Sequence, residues 1–131
     1  MHLMFKKRDN IKEVEEGKYL APKFDKNGLI PVITTDFQTG GILMHGYMND
    51  EALKKTIESK EVYYWSRSRN KIWHKGQVSG FVQKVKEIRI DDDQDSIWIS
   101  VDIGKVLVVM LATGHVFIDQ YLWGKLRMMK N

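Results

Sequence analysis

Residues 84–102 read KVKEIRIDDDQDSIWISVD, and the way this stretch divides decides the architecture. The segment FVQKVKEIRI, residues 81–90, alternates apolar and polar residues as a long strand does, and SIWISVDI, residues 96–103, reads as a second strand. Between them the acidic run turns the chain. Asp91, Asp92, Asp93 and Asp95 put four carboxylates into five residues, which repel one another unless something positive sits among them.

Upstream, LIPVITTD and GILMHGYM read as two more strands, joined by the turn FQTGG. NDEALKKTIESK, residues 49–60, is the clearest helix, with Asn49 or Asp50 as its cap and Glu51 and Lys55 as an i,i+4 pair. IKEVEEGK, residues 11–18, suits a short helix. EVYYWSRS reads as a strand, followed by RNKIWHKGQVSG as a polar, glycine-bearing loop. The expected fold is α+β, a mostly antiparallel sheet with one main helix.

The 131 residues suit a single domain spanning 1–131. An apolar content of 43% with 29% charged residues describes an ordinary globular chain rather than a disordered one. The net charge of +4 fits an anionic ligand and argues only weakly for nucleic acid. The N-terminal MHLMFKKRDN has no apolar core of a signal peptide, so a cytoplasmic location is expected. Cysteine is absent, which excludes disulfides and thiolate metal sites.

On an extended segment alternate side chains share a face, so Asp91, Asp93 and Asp95 would project together and Asp92 away from them. Three convergent hard oxygen donors suit Mg²⁺; the alternative is an exposed turn of unbound acids. An EF-hand fails, because Ser96 stands where its loop needs glycine and IWISV is strand-like. A second cluster lies in YYWSRSRNKIWHKG, which sets Arg67, Arg69, Lys71 and Lys75 close to Tyr64, Trp65 and Trp73. Arginine forks match phosphate geometry and aromatic faces stack bases, so the loop reads as a nucleotide pocket. The alternative is a hairpin with solvated cations and aromatics turned into the core. His74 reads as exposed loop and His45 as a packed strand residue. The acids beside the basic loop argue against a nucleic-acid partner.

LAPKFDKNGLIPVITTDFQTGGILMHGYMNDEAL, YYWSRSRNKIWHKGQVSG and the DxDxD run resemble the phosphoribosyl-AMP cyclohydrolase family, which hydrolyses a purine ring in histidine biosynthesis. The resemblance spans residues 20–104 in the family's order and spacing. It implies an intertwined homodimer, a phosphoribosyl nucleotide substrate, and Mg²⁺ on Asp91, Asp93 and Asp95. It also implies Arg67, Ser68, Arg69 and Lys75 on phosphates, with Trp65 or Trp73 against the base. Zinc is implied too, on three cysteines at the dimer interface, where it would activate a water.

None of those cysteines is present. Asp92 occupies the place of the first and is a harder, weaker donor than thiolate. The other two belong just after Gly104, in a Cys-His-x-Gly-x-x-Ser-Cys motif, where this chain instead reads KVLVVMLATGHVFIDQYLWGKLRMMKN. A shifted reading frame near codon 106 would account for the change. Codons spanning Leu107/Val108 and Val108/Val109 permit Cys and Cys, and Val109/Met110 permits His. Met110/Leu111 permits Val, Leu111/Ala112 permits Gly, and the run through Ile118/Asp119 permits His, Arg, Ser, Cys, Phe, Tyr and Arg. The expectation is that residues 105–131 are a divergent, frameshifted tail; wobble bases incompatible with the motif in codons 104–120 would sink it. A membrane span within the tail is argued against by His115, Asp119 and Gln120 near its middle.

Overall fold

The computed structural model describes residues 3–17 and 19–104. The tail from Lys105, with His115 and the frameshift expectation, lies outside the described residues. Two helices and six strands follow in the order α1 (Ile11–Glu16), β1 (Ile30–Asp36), β2 (Ile42–Met48), α2 (Asp50–Ser59), β3 (Tyr63–Ser66), β4 (Lys71–His74), β5 (Lys84–Ile90) and β6 (Ile97–Asp102). The fold class is α+β, as the alternation patterns predict.

Four strands form one sheet in the order β2-β1-β6-β5, and β3 pairs with β4 in a separate hairpin. The β1–β2, β5–β6 and β3–β4 pairs are antiparallel, and β1 and β6 run parallel. A parallel pair needs a long crossover, and here α2, the hairpin and β5 all lie between its two strands. Strand periodicity fixes which residues share a face, but it carries no information about the direction of a distant neighbour.

One face of the sheet is the core. Ile30 and Val32 of β1, Met48 of β2 and Ile97, Ile99 and Val101 of β6 pack with Leu53 of α2 and with Val62 and Tyr64. Burying each large aliphatic side chain here stabilises the fold by about 1.5–3 kcal/mol. The Tyr64 ring lies directly beneath β2: a Cβ on Gly46 would meet its Cδ1 at 2.9 Å, so only glycine fits that strand position. The Tyr64 hydroxyl donates to Gln83 Oε1 at 2.8 Å and shares a hydrogen bond with Thr34 Oγ1, and burial holds its pKa far above the usual phenol value.

Helix α2 begins at Asn49, whose side chain accepts from the Ala52 amide at 2.8 Å. It ends at Lys60, in the left-handed conformation, where the Lys60 amide donates to the Thr56 carbonyl. The ion pair on α2 is Asp50–Lys54, at 2.8 Å, rather than the expected Glu51–Lys55. Lys55 reaches over the Tyr63 ring instead, 5.7 Å from its centre. The segment expected as a polar loop after β3 contains β4. Lys71–His74 pairs residue by residue with β3, because Ile72 and Trp73 pack their apolar surface against the core.

Candidate functional site

The acidic run is a tight turn, not an extended segment. The Gln94 amide donates to the Asp91 carbonyl at 2.9 Å, and Gln94 adopts φ +60°, in the left-handed region. Asp91 Oδ1 accepts from the amides of Asp95 and Ser96, at 2.9 and 3.1 Å. Folding back in this way brings one carboxylate oxygen from each of Asp91, Asp93 and Asp95 to within 4.8 Å of one another. The three residues expected to converge do so, through turn geometry rather than strand alternation. Asp92 lies outside the cluster and is exposed.

Such crowding shows in the titration of the group. Asp95 is pushed up to about 6, chiefly by hydrogen bonds with Asp91 and Asp93, with desolvation and their negative charges adding to the shift. At Asp91 burial acts upward, but hydrogen bonds from Asp95, Asp93 and Ser96 outweigh it and hold the carboxyl below its usual value. Without a cation, then, the cluster retains a shared proton into the mildly acidic range. A divalent ion would replace that proton.

Gln94 sits at the heart of this turn and sequence reasoning missed it. Its side chain is buried, accepting from the Ala21 amide at 2.8 Å and donating to the Val14 carbonyl at 2.9 Å and the Tyr19 carbonyl at 3.3 Å. Its own carbonyl accepts from the Lys23 amide at 2.7 Å. The acidic turn is thereby fastened to the N-terminal segment. A polar residue between aspartates in a turn gives no sequence signal of such burial.

The basic aromatic cluster is spread along the β3–β4 hairpin. Arg67, Ser68 and Arg69 form its exposed tip. The Arg67 guanidinium lies 4.1 Å from the centre of the Tyr47 ring, on β2, a stacking contact of the kind arginine favours. Ser68 Oγ is 3.4 Å from Ser66 Oγ, which also accepts from the Arg69 amide at 3.3 Å. Trp65 stands opposite Ile72 and Trp73 opposite Tyr64. Trp73 is half-buried, its ring 5.8 Å from that of Tyr64 and Lys75 Nζ 5.1 Å from its centre. Desolvation lowers the Lys75 pKa. Lys75 follows β4 at the base of the hairpin, so the length of the strand, roughly 13 Å for four residues, separates it from the tip.

The two histidines exchange their expected settings. His74, expected in an exposed loop, is half-buried in β4, with Nε2 2.8 Å from Glu61 Oε1 and its ring stacked on Tyr63 at 4.3 Å. His45, expected to be packed, is exposed on β2, edge-on to Tyr47 at 5.3 Å. The outward phase of its strand position explains the difference: His45 pairs with Ile33, on the face away from the core.

No helix among the described residues is long and apolar enough to cross a membrane.

Comparison with known proteins gives a consistent result. Residues 44–108 match the family model described as phosphoribosyl-AMP cyclohydrolase. The protein of that name from Streptococcus mutans serotype c is 61% identical over 77 residues, 59% of this chain and 71% of the relative. One from Rhodopseudomonas palustris strain BisB18 is 57% identical over 94 residues, 72% of this chain and 64% of the relative. A third, from Bradyrhizobium diazoefficiens, is 52% identical over 90 residues, 69% of this chain and 64% of the relative. The chain thus spans less than two thirds of the length of the Rhodopseudomonas and Bradyrhizobium relatives.

Proposed function

The chain belongs to the phosphoribosyl-AMP cyclohydrolase family, and on that premise we propose that it opens the purine ring of N1-(5-phosphoribosyl)-AMP in histidine biosynthesis. The observation that carries the reading is the convergence of Asp91, Asp93 and Asp95 to within 4.8 Å in a chain that also displays an arginine-bearing hairpin. In this reading the chain works in the cytoplasm as a homodimer.

The aspartates fit Mg²⁺, since a hard cation prefers several carboxylate oxygens and would relieve the repulsion that raises Asp95. Bound there, Mg²⁺ would supply positive charge to the substrate's phosphate. Arg67, Ser68 and Arg69, exposed at the hairpin tip, would donate to phosphate oxygens. Lys75, partly desolvated, would gain from an anion beside it, which favours its charged form. Trp65 and Trp73 would border the nucleotide on the hairpin side.

Zinc does not fit. The chain has no cysteine, and among the described residues the aspartate triad is the one group of three that could hold a metal. Asp92, exposed and apart from the triad, offers a single hard oxygen. No chemical step is therefore assigned to zinc. This absence favours a second reading, a Mg²⁺-dependent nucleotide binder without turnover, because a nucleophilic water lacks its activating group.

Ring opening of N1-(5-phosphoribosyl)-AMP by the purified chain, with Mg²⁺ and Zn²⁺ supplied and absorbance followed, separates the two. Turnover is expected for the enzyme, and its loss on zinc chelation would reveal a rebuilt zinc site. Nucleotide binding by folded protein with no absorbance change would establish the second reading. Neither binding nor turnover would defeat both.

A further inference from the structure

The sheet face turned away from the core carries a cleft of about 300 Å³, lined among others by Ile33, His45, Arg89, Asp91 and Trp98. Its size stands at the lower end of the range typical of small-molecule sites. We infer that this cleft receives the planar base of the nucleotide, with Trp98 as the stacking residue. The inference rests on the nucleotide reading above and moves the base from the hairpin tryptophans to the sheet.

Strand register assembles the cleft. Ile33 pairs with His45 on one side and Trp98 on the other, and Trp98 pairs in turn with Arg89, so one row of four strands presents all four side chains outward. Two of them expose apolar surface that a soluble chain ordinarily covers: Trp98 is 41% exposed and Ile33 37%. The indole is also held in place before any ligand arrives. Its Nε1 donates to Thr35 Oγ1 at 2.7 Å, and the Arg89 guanidinium lies 4.9 Å from the ring centre while its Nε donates to Glu87 at 3.0 Å. A rigid aromatic wall binds a flat heterocycle with little further loss of freedom. A cation lies over each ring, Lys75 on Trp73 and Arg89 on Trp98, but Trp73 also leans on Tyr64 and packs against the core.

Charge selects the occupant. Asp91 belongs both to the cleft wall and to the carboxylate triad, so a ligand whose base enters the cleft brings its phosphate toward a cation held by the triad. His45 and Arg89 add hydrogen-bond donors at the rim. Apolar wall, donors and cation site suit a flat base carrying a phosphate better than an uncharged peptide.

AMP with Mg²⁺ serves as the probe, with affinity read by equilibrium dialysis and by tryptophan fluorescence on the full chain. Ile33→Glu, at an exposed position that leaves the core intact, is expected to weaken AMP binding by about tenfold or more. Trp98→Phe is expected to keep most of the affinity and abolish the fluorescence change. Unaltered affinity in Ile33→Glu, with loss in Arg67→Ala, would overturn the inference and return the base to the hairpin. Unaltered affinity with loss of self-association would overturn it too, assigning the cleft to contact between copies. If neither AMP nor N1-(5-phosphoribosyl)-AMP binds the wild-type chain, the nucleotide reading itself fails.

Discussion

The acidic turn at 91–96 and the hairpin tip at 67–70 each set like charges close together in a few residues, yet they are built on opposite plans. The turn is closed by Asp91 Oδ1 accepting two amides, and it is fastened from below by the buried Gln94 side chain. Its carboxylates are therefore held close despite their repulsion. Along the hairpin no comparable anchor draws the cations together, and each looks elsewhere: Arg67 at the tip to Tyr47, Lys75 at the base to Trp73. Like charges converge only where backbone donors and a buried side chain impose it; where nothing does, they spread across the surface.

Cutting the anchor is the most severe way to break this contrast. Gln94→Ala removes three side-chain hydrogen bonds, two of them buried, and leaves the Ala21, Val14 and Tyr19 backbone groups to find other partners. Urea unfolding should register a loss of about 2–4 kcal/mol, against little change for a substitution at the exposed tip. Asp91→Ala strikes both halves of the turn at once, as a proposed ligand and as its closing acceptor. Titration calorimetry with Mg²⁺ should then show affinity lower by at least about tenfold, equivalent to about 1.4 kcal/mol.

Proton linkage sharpens the comparison without any mutation. Asp95 has its folded pKa raised to about 6, so it adds stability below the unfolded carboxylate range and loses that contribution as pH rises through about 6. Asp91 is depressed, and its contribution is lost at the other extreme, as pH falls through its lowered folded value. Cation-free protein should accordingly melt at a lower temperature near about pH 7.5 than near about pH 5, and Mg²⁺ should raise the midpoint more at the higher pH. A Mg²⁺ effect equal at both values would separate the cation from the triad.

The hairpin side predicts smaller effects. Arg67→Ala loses the stack on Tyr47 and should cost about 0.5–1 kcal/mol in thermal or urea unfolding. Arg69→Ala should leave stability within about 0.5 kcal/mol while weakening nucleotide binding. A large unfolding effect at Arg69 would mean that the tip is as structurally committed as the acidic turn.

Much of the fold was legible in residue patterns. Strand-like composition, alternation and turn residues located β1, β2, β3, β5 and β6, and a capping Asn49 or Asp50 located α2, because these signals are local. They failed at β4: Lys71–His74 is short and polar at its ends, and its strand state depends on Ile72 and Trp73 meeting the core. Trp98 had a readable signal, an aromatic between Ile97 and Ile99 that alternation turns outward, although its cleft did not. Gln94 had none, since its burial depends on the N-terminal segment, some seventy residues or more earlier in the chain.

By itself the sequence determined most of the strands and both helices, that no thiolate site can form, and that three aspartates stand where they can share a cation. Period, composition and spacing are properties of neighbouring residues, and one chain displays them in full. The tertiary structure alone decided that β1 and β6 run parallel, that the aspartates meet through a left-handed turn, and that a tryptophan and an arginine share a cleft with one of them. Those outcomes are set by contacts between residues far apart in the chain, which exist only once the sheet has closed.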